Sequence, residues 1–167
     1  MGRFSGKTAF VTGGGSGIGA ATSRRLHDEG ANLVAVDLSE EAVRKVTDGL
    51  AASERVLSLG VDVSDAGAVD RAFGKAEARF GAVDFLVNCA GIRGVGSILD
   101  TPPDLWQRNF AVNLEGTLHT CQAFARAATE AGRGGAIVNI ASQAGIEGVP
   151  RRLAYVAAKH GVVGLTR

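Results

Sequence analysis

Seven residues near the start of the chain, Gly13-Gly14-Gly15-Ser16-Gly17-Ile18-Gly19, restrict the fold more than any others. They follow a β-rich apolar run at residues 8–12 and lead into a stretch of helical character at 18–29. A glycine turn between a strand and a helix lets backbone N–H groups approach a pyrophosphate closely. The helix N-terminus adds about half a positive charge. No Lys-Ser or Lys-Thr follows the glycines, so the loop is not a P-loop. The spacing is Gly13-x-x-x-Gly17-x-Gly19; a GxGxxG pattern begun at Gly13 would need its last glycine where Ile18 stands. Glycine makes up 24 of the 167 residues, about twice the usual share of roughly 7%. With no collagen-like period, these glycines serve tight turns and close backbone approaches.

The rest of the chain repeats the same alternation. Apolar runs at 32–37, 55–61, 84–88 and 136–141 read, like 8–12, as buried strands. Helical segments lie between them. The first stops at Gly30, a C-cap signal, and 40–52 follows Ser39, a plausible N-cap. Residues 65–80 follow Ser64 and end at Gly81. A short helix at 102–108 can start on proline, and the stretches 110–131 and 153–167 are long and apolar. This order predicts one α/β domain over residues 1–167, a Rossmann-type doubly wound parallel sheet with helices on both faces. The binding crevice is expected at the carboxyl ends of the strands.

Lys plus Arg is 18 and Asp plus Glu is 17, a formal charge of +1. That balance argues against nucleic acid or an anionic membrane as the main partner. No apolar run is long enough to span a bilayer, and the N-terminus lacks the apolar stretch of a signal peptide. Cys89 and Cys121 form no CxxC and fit a reducing, cytoplasmic setting. His27, His119 and His160 have no sequence neighbours suited to holding a metal, and none is expected.

Asp37 ends the second strand, 18 residues after Gly19, near the offset of roughly 20 at which a carboxylate binds an adenosine ribose 2′-hydroxyl. A carboxylate there repels a 2′-phosphate, and the next residue is Leu38 rather than Arg or Lys, so NAD is expected as the cofactor. Asp62 either binds the adenine amino group or caps the next helix through its loop; the chemistry leaves both open. Tyr155 and Lys159 are four apart on a helical segment and share a face. A free tyrosine hydroxyl is a poor base at neutral pH, and an ammonium beside it favours the phenolate. Ser142 ends the fifth strand, 13 residues before Tyr155, and offers a hydroxyl to a substrate oxygen. Arg151 and Arg152 could attract an anionic substrate, although a solvated basic turn is the plainer reading.

Several motifs now fall in one order: Thr12-Gly13-x-x-x-Gly17-x-Gly19, Asp62-Val63, Asn88-Cys89-Ala90-Gly91, Asn113, Ser142 and Tyr155-x-x-x-Lys159. In order and spacing the sequence resembles the short-chain dehydrogenase/reductase family. The resemblance implies an oxidoreductase moving a hydride between NAD(H) and a secondary alcohol or ketone. It gives Tyr155 the general acid/base role and Lys159 the task of lowering its pKa and holding the nicotinamide ribose. Ser142 would orient the substrate and Asn113 would support a proton relay. Gly13, Ser16, Gly17, Ile18, Gly19, Asp37, Asp62, Val63, Asn88, Ala90 and Gly91, with Tyr155 and Lys159, would hold the cofactor. The alternative is a nucleotide-binding module without catalysis, or an inactive truncated fragment.

The chain stops at Leu165-Thr166-Arg167 inside a helical pattern. The resemblance implies two further strands, a substrate-binding helix and loop, and a segment contacting the nicotinamide. It also implies a homodimer or homotetramer paired through the helices at 110–131 and 153–167. A chain lacking the further strands is expected to expose a sheet edge and to aggregate.

Overall fold

The computed structural model of the chain describes residues 2–167. Among these residues five parallel strands form one sheet: β1 (Thr8–Thr12), β2 (Asn32–Asp37), β3 (Val56–Gly60), β4 (Phe85–Asn88) and β5 (Ala136–Asn139). Their order is β3-β2-β1-β4-β5. Winding goes outward from β1 to β3, then returns past β1 to β4 and β5. The order therefore reverses between β1 and β4, where a doubly wound sheet opens its crevice.

Side chains alternate across each strand, so the sheet has two apolar faces. Phe10, Val34 and Leu86 face α3 (Ala66–Phe80) and α5 (Gly116–Glu130), where Phe10 stacks on Phe73 with ring centroids 4.3 Å apart. Val11, Leu33, Ala35 and Val87 face α1 (Gly17–Asp28) and α2 (Glu40–Thr47). β1 is buried along its whole length. At the amino ends of the strands, the buried Asp84 accepts hydrogen bonds from the Thr8 N–H (2.9 Å), Lys7 Nζ (3.0 Å) and Arg133 Nη2 (2.6 Å), fastening β1, β4 and the segment leading into β5 together.

The doubly wound α/β architecture is as expected, but several details differ. α2 ends at Thr47 rather than near residue 52, because Leu50 N–H turns back to the Thr47 carbonyl and Ala52 takes a left-handed conformation. α3 is capped by Asp65 rather than Ser64: Asp65 Oδ1 accepts from the Ala68 N–H (3.0 Å), whereas Ser64 donates to Asp62. The two helices expected at 102–108 and 110–131 are one continuous run. α4 (Pro103–Phe110) passes through a π-helical turn (Ala111–Glu115) into α5 without a break. β5 was expected to be buried, but it is an edge strand with exposed residues, because only β4 pairs with it among the described residues. The last helix, α6 (Leu153–Thr166), packs on the π turn and on α4; a Cβ at Gly161 would lie 2.7 Å from Leu114. Among the described residues, no helix is long and apolar enough to cross a membrane.

Candidate active site

At the carboxyl ends of β1 to β4 lies a cleft of about 480 Å³. Its floor is the glycine loop, where positions 13 and 19 have no room for a Cβ. Gly13 has φ +66, and a Cβ on it would lie 2.8 Å from the Ala90 nitrogen; a Cβ on Gly19 would lie 2.1 Å from the Gly13 carbonyl oxygen. Past the loop, the first helical bond of α1 is from Ala20 N–H to the Ser16 carbonyl (3.0 Å). The N–H groups of Gly17, Ile18 and Gly19 thus precede the helical ladder. Ser16 stands at the N-cap position, but its side chain makes no capping bond, and the first turn holds no acidic residue. The N-termini of α2 and α3, by contrast, are capped by Ser39 and Asp65. An open, uncharged helix N-terminus facing a cleft suits a phosphate group.

The other walls are equally specific. Asp37 Oδ2 accepts from the Gly15 N–H (3.1 Å), which holds the carboxylate at the mouth of the cleft beside Leu38, 75% exposed. Val61, Asp62 and Val63 form a second wall. Asp62 Oδ1 accepts from the Ser64 N–H (2.9 Å) and hydroxyl (2.6 Å), so one oxygen serves the turn into α3 and the residue still lines the cleft. Both readings of Asp62 therefore remain compatible with its position. Thr12 Oγ1 accepts from the N–H groups of Cys89 (3.1 Å) and Ala90 (3.0 Å), joining the end of β1 to the third wall at 89–91. The glycine cradle, the open helix N-terminus and the carboxylate at the far end together fit a dinucleotide without a 2′-phosphate, such as NAD.

A smaller cleft of about 210 Å³ lies alongside, lined by Ser142 and Tyr155 among others. Ser142 lies three residues past β5 rather than on it, and its Oγ accepts from the Ala144 N–H (3.2 Å), which fixes the hydroxyl oxygen in the turn after the strand. Lys159, one turn beyond Tyr155, is buried, and its Nζ donates to the Ile140 carbonyl (2.7 Å) while standing 5.9 Å from the Tyr155 ring centroid. Burial lowers the Lys159 pKa from its ordinary value, and the neighbouring Cys89 opposes the shift. Burial likewise pushes the Cys89 thiol up to about 11, against the pull of Lys159. A Cβ on Gly91 would lie 3.8 Å from Lys159 Nζ, so the ammonium sits behind the Gly91 wall of the larger cleft. Asn113 is fully buried in the π turn. Its Oδ1 accepts from the Ile92 N–H (2.9 Å), and its Nδ2 donates to the Ile92 carbonyl (3.0 Å) and to Asn109 Oδ1 (3.1 Å).

Most of the residues picked out from the sequence surround these two clefts. Gly13, Ser16, Gly17, Ile18 and Gly19 line the larger one, as do Asp37, Asp62, Val63, Ala90 and Gly91. Asn88 does not. Its amide donates to Asn139 Oδ1 (2.9 Å) and its oxygen accepts from Thr120 (2.8 Å), so it ties β4 to β5 and α5 behind the cleft. Trp106 lies on Phe110 of its own helix, centroids 4.6 Å apart, and is 39% exposed. Two polar lining residues carry no motif in the sequence: Arg93, which lines both clefts, and Gln143, which lines the smaller one. The only trace of Arg93 in the sequence is a lone cation after Asn88-Cys89-Ala90-Gly91-Ile92.

Residues 7–167 match the family described as short chain dehydrogenase. The chain is 40% identical over 166 residues to a D-threitol dehydrogenase of Mycolicibacterium smegmatis, covering 99% of this chain and 64% of that protein. It is 38% identical over 165 residues to a sorbitol dehydrogenase of Cereibacter sphaeroides, covering 99% and 64%. With a D-beta-hydroxybutyrate dehydrogenase of Rhizobium meliloti it shares 40% over 164 residues, covering 96% and 63%. The chain thus spans 63–64% of the length of these curated relatives. Among solved structures, a carveol dehydrogenase from Mycobacterium avium in complex with NAD superposes with a TM-score of 0.94 at 31% identity, covering 100% of this chain and 65% of that one.

Proposed function

The chain belongs to the short-chain dehydrogenase family, and from that premise we propose that it serves an NAD-dependent oxidation of secondary alcohols and the reverse reduction of ketones. The observation that carries the reading is the uncapped N-terminus of α1 opening into a cleft bounded by Asp37 at one end and neighbouring the Ser142–Tyr155 cleft at the other. The relatives named for threitol, sorbitol and hydroxybutyrate support the reaction type, and the NAD-bound carveol dehydrogenase supports the cofactor.

A bound NAD supplies the acceptor for the hydride, with its electron pair, that leaves the alcohol carbon. The chain's own groups do the rest. The N–H groups of residues 17–19 and the positive end of α1 receive the pyrophosphate. Asp37 accepts from the adenosine ribose hydroxyls. Ser142 holds the substrate oxygen, and Tyr155 takes its proton as the C–O bond becomes a carbonyl. Lys159, held by the Ile140 carbonyl, sets the electrostatic environment of Tyr155 and would be the residue to hold the nicotinamide ribose. Asn113 keeps the 91–92 segment in place through its pair of bonds to Ile92. We also infer a cytoplasmic protein, supported by two free cysteines. A homodimer or homotetramer is inferred too, supported by half-exposed apolar residues on α4, α5 and α6 such as Leu118 and Val156.

The test is NADH fluorescence on titration, followed by absorbance at the nicotinamide band with a panel of secondary alcohols and ketones. Tyr155→Phe keeps the ring and its packing but removes the hydroxyl. We expect it to bind NADH normally and to lose about 10²–10⁴-fold in kcat, the usual worth of a general acid/base. Retention of the parental kcat removes Tyr155 from its role.

A further inference from the structure

The cationic side chains around the Tyr155 cleft differ in what they are paired with. Arg151 is neutralised by Asp100, Nη2 to Oδ2 3.1 Å. Arg152, the next residue, is half-buried; its Nη1 donates to the Gly94 carbonyl (3.2 Å), and it has no carboxylate partner among the described residues. Arg93 is exposed, with neither an ion pair nor a side-chain hydrogen bond among the described residues. Arg93 and Arg152 both line the Ser142–Tyr155 cleft together with Gln143, and no Asp or Glu lines it.

Arg152 is also held in place. The Leu153 N–H donates to the Gly96 carbonyl (3.2 Å), the Gly96 N–H donates to the Arg151 carbonyl (3.0 Å), and Gly96 and Arg152 form an isolated bridge. The 94–96 segment is thereby fixed to the start of α6, three residues before Tyr155. A guanidinium has five N–H donors in a rigid fork, and Arg152 has used one of them on protein. Two guanidiniums without counter-charges, in a concave site without acids, attract anions and match the geometry of a carboxylate.

Resting on the dehydrogenase reading above, we propose that the substrate carries a carboxylate, as a short hydroxy acid or the matching oxo acid, and that Arg152 and Arg93 receive it. The hydroxyl or carbonyl at the reacting carbon then lies against Ser142 and Tyr155. Neutral polyols and ketones lack the group that these two residues are placed to bind.

The test compares acids with their neutral esters on the NADH-loaded chain. Acetoacetate is set against methyl acetoacetate and pyruvate against methyl pyruvate. Binding is followed by NADH fluorescence and turnover by nicotinamide absorbance. We expect the acids to be favoured about 10-fold or more, with a preference that weakens as salt rises. Arg93→Gln and Arg152→Gln should each cut the acid-to-ester ratio about 10-fold, whatever happens to the absolute rates. Arg152→Lys keeps a charge and a donor for Gly94 but loses the fork, so its ratio should fall in between; thermal melts establish that each variant is folded. Esters taken as readily as acids, or a ratio unchanged in both Gln variants, overturns the proposal. Reduction of neutral ketones with no acid preference also overturns it and leaves the dehydrogenase reading standing. Preferential acid binding without any turnover supports the anion site while counting against the dehydrogenase reading.

Discussion

Gly6 and Gly13 share a left-handed backbone, at φ +75 and +66, in opposite surroundings. A Cβ on Gly6 would meet nothing within 4 Å, whereas on Gly13 it would meet the Ala90 backbone at 2.8 Å. The left-handed conformation alone costs an L-residue about 1–2 kcal/mol. Gly6→Ala should therefore lower stability by about that amount and leave NADH binding intact. Gly13→Ala must also push the 89–91 wall away, so it should melt lower still and bind NADH at least ~10-fold more weakly. Melting curves and NADH titrations of the two variants check both parts. Cysteine reactivity is a second matter settled at single residues. Burial raises the pKa of Cys89, to about 11, and that of Cys121. Thiolate is the reactive form, so both should react with iodoacetamide more slowly than a free cysteine at pH 8 and accelerate as pH rises toward the shifted values. Bound NADH should slow Cys89, which lines the cleft, but not Cys121, which lies on Asn88 and Asn139. Peptide mapping after timed alkylation separates the two.

Among the elements, legibility in the sequence followed how local the cause was. β1 and β2 could be read to the residue, because their apolar runs are bounded by Gly13 and Gly30 on the sides that matter. The phosphate loop was legible for the same reason: its glycines are consecutive, and strand and helix flank them directly. The π turn was not legible, because it depends on Asn113 reaching across to Ile92, 21 residues away. Arg93 was missed on similar grounds, since its meaning comes from Arg152 and Tyr155, brought beside it by the Gly96–Arg152 bridge. Asn88 shows the reverse error: its neighbours line the cleft, but alternation along β4 turns its side chain toward α5. The end of β2 carries the cofactor prediction. Asp37, held by the Gly15 N–H, disfavours a 2′-phosphate, and the exposed Leu38 offers no cation to bind one. Asp37→Ala with Leu38→Arg removes the repulsion and adds a charge-assisted donor. The ratio of NADH to NADPH affinity should fall about 10-fold or more. Tighter NADPH binding by the parent chain would contradict the assignment.

For the molecule as a whole, the two edges of the sheet are unequal. β3 lies under α2, and its Ser58 hydroxyl is bonded to Thr47 of that helix (2.8 Å). β5 presents Ile137 at 39% and Val138 at 51% exposure on its two faces, with its outer N–H and C=O groups unpaired by any other strand among the described residues. An apolar edge of this kind is a template for another strand. Charge is a poor defence here, since the net charge of the sequence is only +1 and leaves little repulsion between copies. The 167-residue chain should therefore associate through β5 as concentration rises, and its thermal unfolding should end in precipitate. Val138→Lys places a charge on that edge while touching neither cleft. Because Val138 is half exposed, the loss of buried apolar area is small, and the melting midpoint should move little. Light scattering of the two proteins across a concentration series is the measurement. The parent should grow in apparent mass, and the lysine variant should stay near the mass of a smaller species. A parent that remains monodisperse at every concentration, or a variant that associates to the same degree, means that the β5 edge is not what brings copies together.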